Sequence, residues 1–139
     1  MFKKILIASD GSEGAYKALI AALRLAHTHK AQLHMVCVEE TQWVPGSREE
    51  VIGEKELADR KFAEVVANAE ADAKRHHVKL VSHVLVGHAV PAIVDFIEEN
   101  GFDLLVTGFM GHSAVYNRVI GSTTDRLVEL APCAVLVVK

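Results

Sequence analysis

The sequence predicts an α/β protein in which a parallel β-sheet is covered by helices on both faces. Two observations support this fold class. Short apolar runs alternate with helical periods along the chain, as they do in βαβ units. Several of these runs are apolar at consecutive positions, which is typical of strands that are buried on both faces. We therefore expect a three-layer sandwich with a five-stranded parallel sheet.

The strands are predicted from apolar runs that polar or glycine-containing segments separate. The first strand includes Phe2 and residues 5–8, and its run ends directly before an acidic turn. The other four follow at residues 33–38, 80–86, 103–107 and 134–138.

The helices are predicted from apolar residues that recur three or four positions apart and so share one face. Gly101 is placed to end the third helix, and Pro132 stops the fourth. The four stripes cover residues 15–26, 58–73, 90–97 and 119–130.

Size and charge restrict the class of protein. A chain of 139 residues suggests a single domain over residues 1–139. The net charge of −3 argues against nucleic-acid binding. The apolar run at residues 5–8 is too short for a signal peptide or a membrane span. Cys37 and Cys133 form no disulfide framework, so the cytoplasm is the expected location. Residues 39–53 are predicted to form a flexible loop or lid.

The chemistry-bearing residues follow the first and fourth strands. Asp10 comes directly after the first strand, where a short carboxylate suits ribose hydroxyls or a phosphate-bound metal ion. After the fourth strand come Gly108 and Gly111, then nine residues, and then Gly121 and Ser122. Glycines let a backbone approach a phosphate closely, and a helix that starts at Ser122 would present unpaired N–H groups to it. If both loops touch one ligand, strands one and four are neighbours and the strand order is 3-2-1-4-5.

Each of these residues also has a purely structural interpretation. The glycines could serve only as turn residues, and Asp10 could serve only in a turn. Ser12 could be a helix cap, and Val38 could be ordinary core packing. The eight histidines lack the spacing of metal ligands, so no metal site from the protein alone is expected, and His34 and His83 are expected to be hydrogen-bonded within strands.

The glycine spacing resembles the signature of ATP-binding universal stress proteins. That signature is glycine, two residues, glycine, nine residues, glycine and then serine or threonine, and it matches at Gly108, Gly111, Gly121 and Ser122. Residues 4–12, 103–108 and 131–138 also resemble the family's first strand and acidic turn, its fourth strand and its closing strand. The similarity covers the chain except residues 39–53. It implies a Rossmann-like fold of the adenine nucleotide alpha hydrolase-like type.

The resemblance also implies a site and a ligand. ATP, ADP or AMP would bind, with Mg or Mn accompanying the phosphates near Asp10. Asp10 would accept from the ribose, and Val38 would line the adenine pocket. The glycines, with Ser122 and Thr123, would hold the phosphates. His112 directly follows the second glycine, at a position that varies within the family. The predicted nucleotide-binding set is Ala8, Asp10, Val38, Gly108, Gly111, His112, Gly121, Ser122 and Thr123. Family members often dimerise through the last strand, here residues 134–138.

No complete phosphoryl-transfer machinery is recognisable in the sequence. A Gly-Lys-[Ser/Thr] loop and paired magnesium carboxylates are both lacking. The favoured function is therefore an ATP-binding stress or regulatory module that acts as a sensor or dimeric adaptor for an unknown protein partner. Two alternatives remain open. One is a weak ATPase or autophosphorylating enzyme with Ser122 or Thr123 as acceptor, and the other is a dimeric scaffold that no longer binds nucleotide.

Overall fold

A computed structural model of the chain describes residues 1–40, 48–110 and 120–139, although the side chains of residues 48–52 and 54 are not described. Strands and helices alternate throughout these ranges, as the sequence predicts. The elements are β1 (Lys4–Ala8), α1 (Glu13–His29), β2 (Gln32–Glu39), α2 (Arg48–Arg75), β3 (Leu80–Val86), α3 (Ala89–Asn100), β4 (Leu104–Gly108), α4 (Ser122–Leu130) and β5 (Ala134–Val138).

The five strands form one parallel sheet in the order β3-β2-β1-β4-β5, which confirms the predicted order. β1 lies at the centre, where Ala8 pairs with Val36 of β2 and Ile7 pairs with Val106 of β4. β2 and β3 are added to the sheet on one side of β1, and β4 and β5 are then added on its other side. A crevice is therefore expected beyond the carboxyl ends of β1 and β4.

The sheet separates two apolar cores. Alternate residues of a strand point to opposite faces, so Ile5 and Ile7 pack under α1 and α2 while Leu6 packs under α3 and α4. All three side chains are fully buried. The central strands read as continuous apolar runs because both faces are covered, which confirms the prediction of helices on both sides.

Local sequence sets the ends of the helices. Ser12 caps α1, because its Oγ accepts from the N–H of Ala15 at 3.2 Å. Gly101 ends α3 with φ 70°, a left-handed conformation that favours glycine, and its N–H donates to the carbonyl of Ile97. The fourth helix begins at Ser122, so Ile120 of the predicted stripe precedes it. None of the helices within the described ranges is long and apolar enough to cross a membrane.

The predicted loop over residues 39–53 is wrong at both of its ends. Glu39 belongs to β2, and its carbonyl accepts from the N–H of Gly87 at 3.0 Å, which continues the pairing with β3. Helix α2 already begins at Arg48 and runs through Gly53, the residue at which the sequence had indicated that the loop ends. Residues 41–47 lie outside the described ranges.

Candidate functional site

A cavity of about 440 Å³ opens at the carboxyl ends of β1, β2 and β4, where the strand order reverses. Its walls are the ends of these strands, the middle of α2, the start of α3 and the first two turns of α4. The structure brings together around it these predicted site residues: Ala8, Asp10, Val38, Gly108, Gly121, Ser122 and Thr123. The other two, Gly111 and His112, lie outside the described residues.

The amino end of α4 forms one wall of this cavity. Gly121 is the N-cap residue, in an extended conformation, and no side chain among the described residues caps the helix. The N–H of Gly121 donates to the carbonyl of Phe109 at 2.9 Å, so this amide is used within the protein. The N–H groups of Ser122 and Thr123 come next and, in the first turn of an α-helix, have no partner within the helix. An anion in the cavity can therefore be held by these two amides and their exposed hydroxyls.

Thr124 ties α4 to the sheet and was not among the predicted site residues. Its side chain is buried, and its Oγ1 donates to the carbonyl oxygen of Gly108 at 2.7 Å. On the other side of this strand end, the Phe109 N–H donates to the carbonyl of Val138 at 2.9 Å and continues the pairing of β4 with β5. The end of β4 and the start of α4 are thus held in fixed relation, which positions the α4 amides.

Gly108 and Gly14 allow α1 to approach the end of β4 very closely. A Cβ atom placed on Gly108 would stand 2.9 Å from the backbone carbon and oxygen of Gly14. A Cβ atom on Gly14 would stand 2.5 Å from the carbonyl oxygen of Met110. Both distances are too short for a side chain, and backbone atoms cannot move away independently. Gly108 is therefore required by packing, in addition to any role beside a ligand.

Asp10 lies in a tight turn between β1 and α1. Its Oδ1 accepts from the N–H of Ser12 at 2.9 Å, and the Oγ of Ser9 accepts from the N–H of Gly11 at 3.2 Å. Gly11 has φ 78°, and a Cβ atom there would also stand 2.8 Å from a methyl group of Val65. The turn therefore needs glycine, and it holds the exposed Asp10 at the edge of the cavity.

Part of the cavity lining is apolar. Val36 and Val38 of β2 line it from the sheet, Phe62 lines it from α2, and Ile93 and Leu127 line it from α3 and α4. Sequence reasoning found only Val38 of this group. The others belong to regular apolar stripes, and only the tertiary fold shows which stripe residues face a cavity.

The charged lining residues differ in their surroundings. Lys61 of α2 is the one cation among the described lining residues, and its Nζ lies 5.4 Å from the centre of the Phe62 ring. The Oε1 of Glu40 accepts from the N–H of Ala89 at 3.2 Å and so caps the start of α3. Glu39 is buried. That burial, followed by a hydrogen bond and charge repulsion from Asp59, raises the pKa of the Glu39 carboxyl.

Elsewhere, His34 and His83 lie on β2 and β3 and contact each other. Their Nδ1 and Nε2 atoms are 2.9 Å apart, which confirms that both are hydrogen-bonded within strands. Within the described ranges, no group of three or more His, Cys, Asp or Glu side chains is arranged to hold a metal ion.

Comparison with known proteins gives a consistent result. The model of a family described as "Universal stress protein family" matches residues 1–139. The universal stress protein MJ0531 of Methanocaldococcus jannaschii is 30% identical over 141 residues, which is all of this chain and 83% of that protein. A universal stress protein of Thermus aquaticus is 34% identical over 139 residues, which covers both chains completely.

Solved structures show the same fold. The universal stress protein UspA from Lactobacillus plantarum superposes with a TM-score of 0.87 at 24% identity, covering 99% of this chain and 98% of its own. A universal stress protein in complex with cAMP gives 0.78 at 23% identity, covering 99% and 97%. A family protein from Arabidopsis thaliana with AMP bound gives 0.71 at 15% identity, covering 99% and 91%.

Proposed function

This chain belongs to the universal stress protein family, and from that premise we propose that it binds an adenine nucleotide in the cavity at the carboxyl ends of β1, β2 and β4. ATP has the longest phosphate chain of the candidate ligands, and ADP, AMP and cyclic AMP share its adenosine and at least one phosphate. The protein acts as a nucleotide-dependent stress-response or regulatory module.

The observation that carries this proposal is the mixed lining of the cavity. Val38, Phe62 and Ile93 contribute apolar side chains, and α4 contributes the amides of its first turn. Apolar side chains fit a flat base, and helix amides fit phosphates. The volume of about 440 Å³ lies within the range of roughly 300–1,000 Å³ that small-molecule sites occupy. The cAMP and AMP complexes of two proteins with this fold support the same ligand class.

Each lining residue then has a role. Ala8 and Val38 pack against the base, and Asp10 accepts from the ribose hydroxyls. Ser122 and Thr123 donate to the phosphates through their N–H groups and hydroxyls. The predicted contributions of Gly111 and His112 to the phosphate end belong to the same proposal.

A magnesium or manganese ion can accompany the phosphates. Asp10 is an exposed carboxylate at the edge of the cavity, and the described residues offer no three-ligand cluster beside it. One carboxylate suits Mg²⁺, which usually keeps several waters and takes its other ligands from phosphates. Asp10 would hold such an ion only together with the nucleotide, and the ion would neutralise phosphate charge there.

Two measurements test the proposal. Protein denatured directly after purification is analysed for retained nucleotide by mass spectrometry, and nucleotide-free protein is titrated calorimetrically with ATP, ADP, AMP and cyclic AMP. We expect measurable binding of at least one adenine nucleotide and weaker binding of the matching guanine nucleotide. Absence of binding to all four would refute the proposal and favour a scaffold that binds no nucleotide.

We further propose that two copies associate through β5. This strand is an edge of the sheet, and Leu136 is 37% exposed. Sedimentation analysis of the wild type and Leu136→Lys tests this, with Val128→Lys on α4 as the control for loss of an exposed apolar residue. A monomeric wild type would contradict it.

Cys37 and Cys133 are free thiols, and they suit the cytoplasm, in which we place this chain.

A further inference from the structure

Glu39 is a buried carboxyl group in the wall of the cavity. It is the last residue of β2, and only 8% of its surface is exposed. Its Oε1 is buried and has no hydrogen-bond partner among the described residues. A buried carboxylate without a donor is costly, so this oxygen needs a proton from some source.

The neighbouring carboxyl group of Asp59 supplies an acceptor for a proton on Glu39. The side chain of Asp59 interacts with that of Glu39 through a hydrogen bond and through charge, although two ionised carboxylates are both acceptors. The contact becomes favourable when one of the two carries a proton. Asp59 is exposed and Glu39 is buried, so the proton resides mainly on Glu39.

The other groups around Glu39 do not replace this proton. Lys55, also on α2, favours the ionised form of Glu39, but its effect is smaller than the effects of burial and of Asp59. From the β3 side, Gly87 donates its N–H to the backbone carbonyl of Glu39 and not to the side chain. The neighbouring Glu40 is engaged with the N–H of Ala89 at the start of α3.

The contact between Glu39 and Asp59 joins two walls of the proposed nucleotide site. Asp59 lies between Ala58 and Lys61 on α2, and both of these residues line the cavity, as does Phe62. Loss of the contact would leave two negative charges facing each other at the seam between β2 and α2. The α2 wall would then be held less firmly against the strand ends.

We propose that Glu39 and Asp59 share one proton, and that this proton holds α2 against the end of β2 so that nucleotide binding is linked to proton uptake. The linkage rests on the proposed nucleotide function. A bound nucleotide packs against the α2 wall and brings negative phosphates into the cavity. Both effects favour the protonated pair, so affinity falls as pH rises.

Calorimetric titration with ATP from about pH 5 to about pH 8 tests the linkage. One linked proton changes affinity by at most roughly tenfold per pH unit. We expect the wild type to lose at least about threefold more affinity over this range than Glu39→Gln, whose amide donates to Asp59 at every pH. Asp59→Asn should fall between the wild type and Glu39→Gln, because its amide donates to ionised Glu39 while the burial of Glu39 remains. Glu56→Gln, an exposed neighbour on α2, should keep the wild-type profile. Protonation of ATP itself changes the affinity of all four proteins equally, so it cancels when their pH profiles are compared.

A second measurement needs no nucleotide. Carbon NMR of the side-chain carboxyl groups in the free protein should show Glu39 titrating above the ordinary glutamate range, and Asp59→Asn should move it back down. An ordinary titration of Glu39 in the wild type overturns the shared proton. Equal pH profiles for the wild type and Glu39→Gln overturn the linkage. If the wild type binds no adenine nucleotide at any pH, the proposed function and the linkage fail together, while the NMR result still decides the shared proton.

Discussion

Replacement of Ser122 by proline removes two proposed phosphate donors, its N–H and its hydroxyl, while leaving the helix intact. Ser122 is the first residue of α4, the position at which proline is best tolerated because its N–H has no partner within the helix. The preceding residue, Gly121, has φ −63° and ψ 145°, which is the extended conformation that a residue before proline prefers. The fold should therefore accept this substitution.

The expected loss of affinity follows from the lost donor. A hydrogen bond to a charged group contributes about 1.5–3 kcal/mol, and each 1.4 kcal/mol is about tenfold in affinity. Loss of the Ser122 N–H should therefore weaken ATP binding in Ser122→Pro by roughly 10- to 150-fold relative to Ser122→Ala. Ser122→Ala is the matched control, since it removes the hydroxyl but keeps the N–H, and we expect it to lose only about two- to tenfold.

Calorimetry on the wild type and both variants measures these losses, and thermal unfolding checks that all three are folded. A folded Ser122→Pro protein that binds ATP as well as Ser122→Ala would refute the assignment of the α4 amides to the phosphates. A proline variant with a much lower melting temperature would contradict the description of Ser122 as the first helical residue.

Three further predictions concern stability and reactivity. Gly14→Ala should lower the free energy of unfolding by about 1–3 kcal/mol, because its Cβ would meet the carbonyl oxygen of Met110. Gly53→Ala lies in open space within α2 and should raise the free energy of unfolding by about 0.5–1 kcal/mol. Urea unfolding measures both changes. Burial is the largest cause that lowers the pKa values of the His34 and His83 imidazoles. Repulsion from Lys4 adds to this at both rings, and His83 also repels His34. Their stabilising contribution is therefore present above about pH 6.5 and should be lost as pH falls below it, and His83→Gln should flatten this part of a stability–pH curve. Burial raises the pKa of the Cys37 thiol to about 11, so a thiol reagent at neutral pH should label it only after unfolding, and labelling in the native state at the rate of an exposed cysteine would contradict this.

The sheet could be predicted from the sequence because its signals are local. β3 and β5 occupy the predicted residues, and Gly101 ends α3 as its position indicated. The start of α2 could not be predicted, because residues 48–53 carry no apolar stripe and Gly53 resembles a loop residue. Helix α2 is stabilised instead by later residues such as Phe62, which pack on the sheet.

The candidate site could be predicted only in part, for a similar reason. Residues that directly follow strands, such as Asp10, are brought to the cavity by topology alone. Lys61 and Phe62 lie in the middle of a long helix, and nothing in their spacing distinguishes the turn of that helix that faces the cavity. The burial of Glu39 was also missed, because a Glu-Glu pair after a strand is usually exposed to solvent.

The glycine spacing that first indicated a nucleotide site combines two physical requirements. Gly108 is needed because α1 approaches β4 so closely that a Cβ atom would meet the backbone of Gly14. The amide of Gly121 is used in a hydrogen bond to the carbonyl of Phe109. A variant at either glycine could therefore lose ligand binding by disturbing the fold, and such a loss would not identify a phosphate contact. The amides that we propose face an anion begin one residue later, so a test of the binding chemistry has to be made at Ser122, where the N–H can be removed while the helix remains.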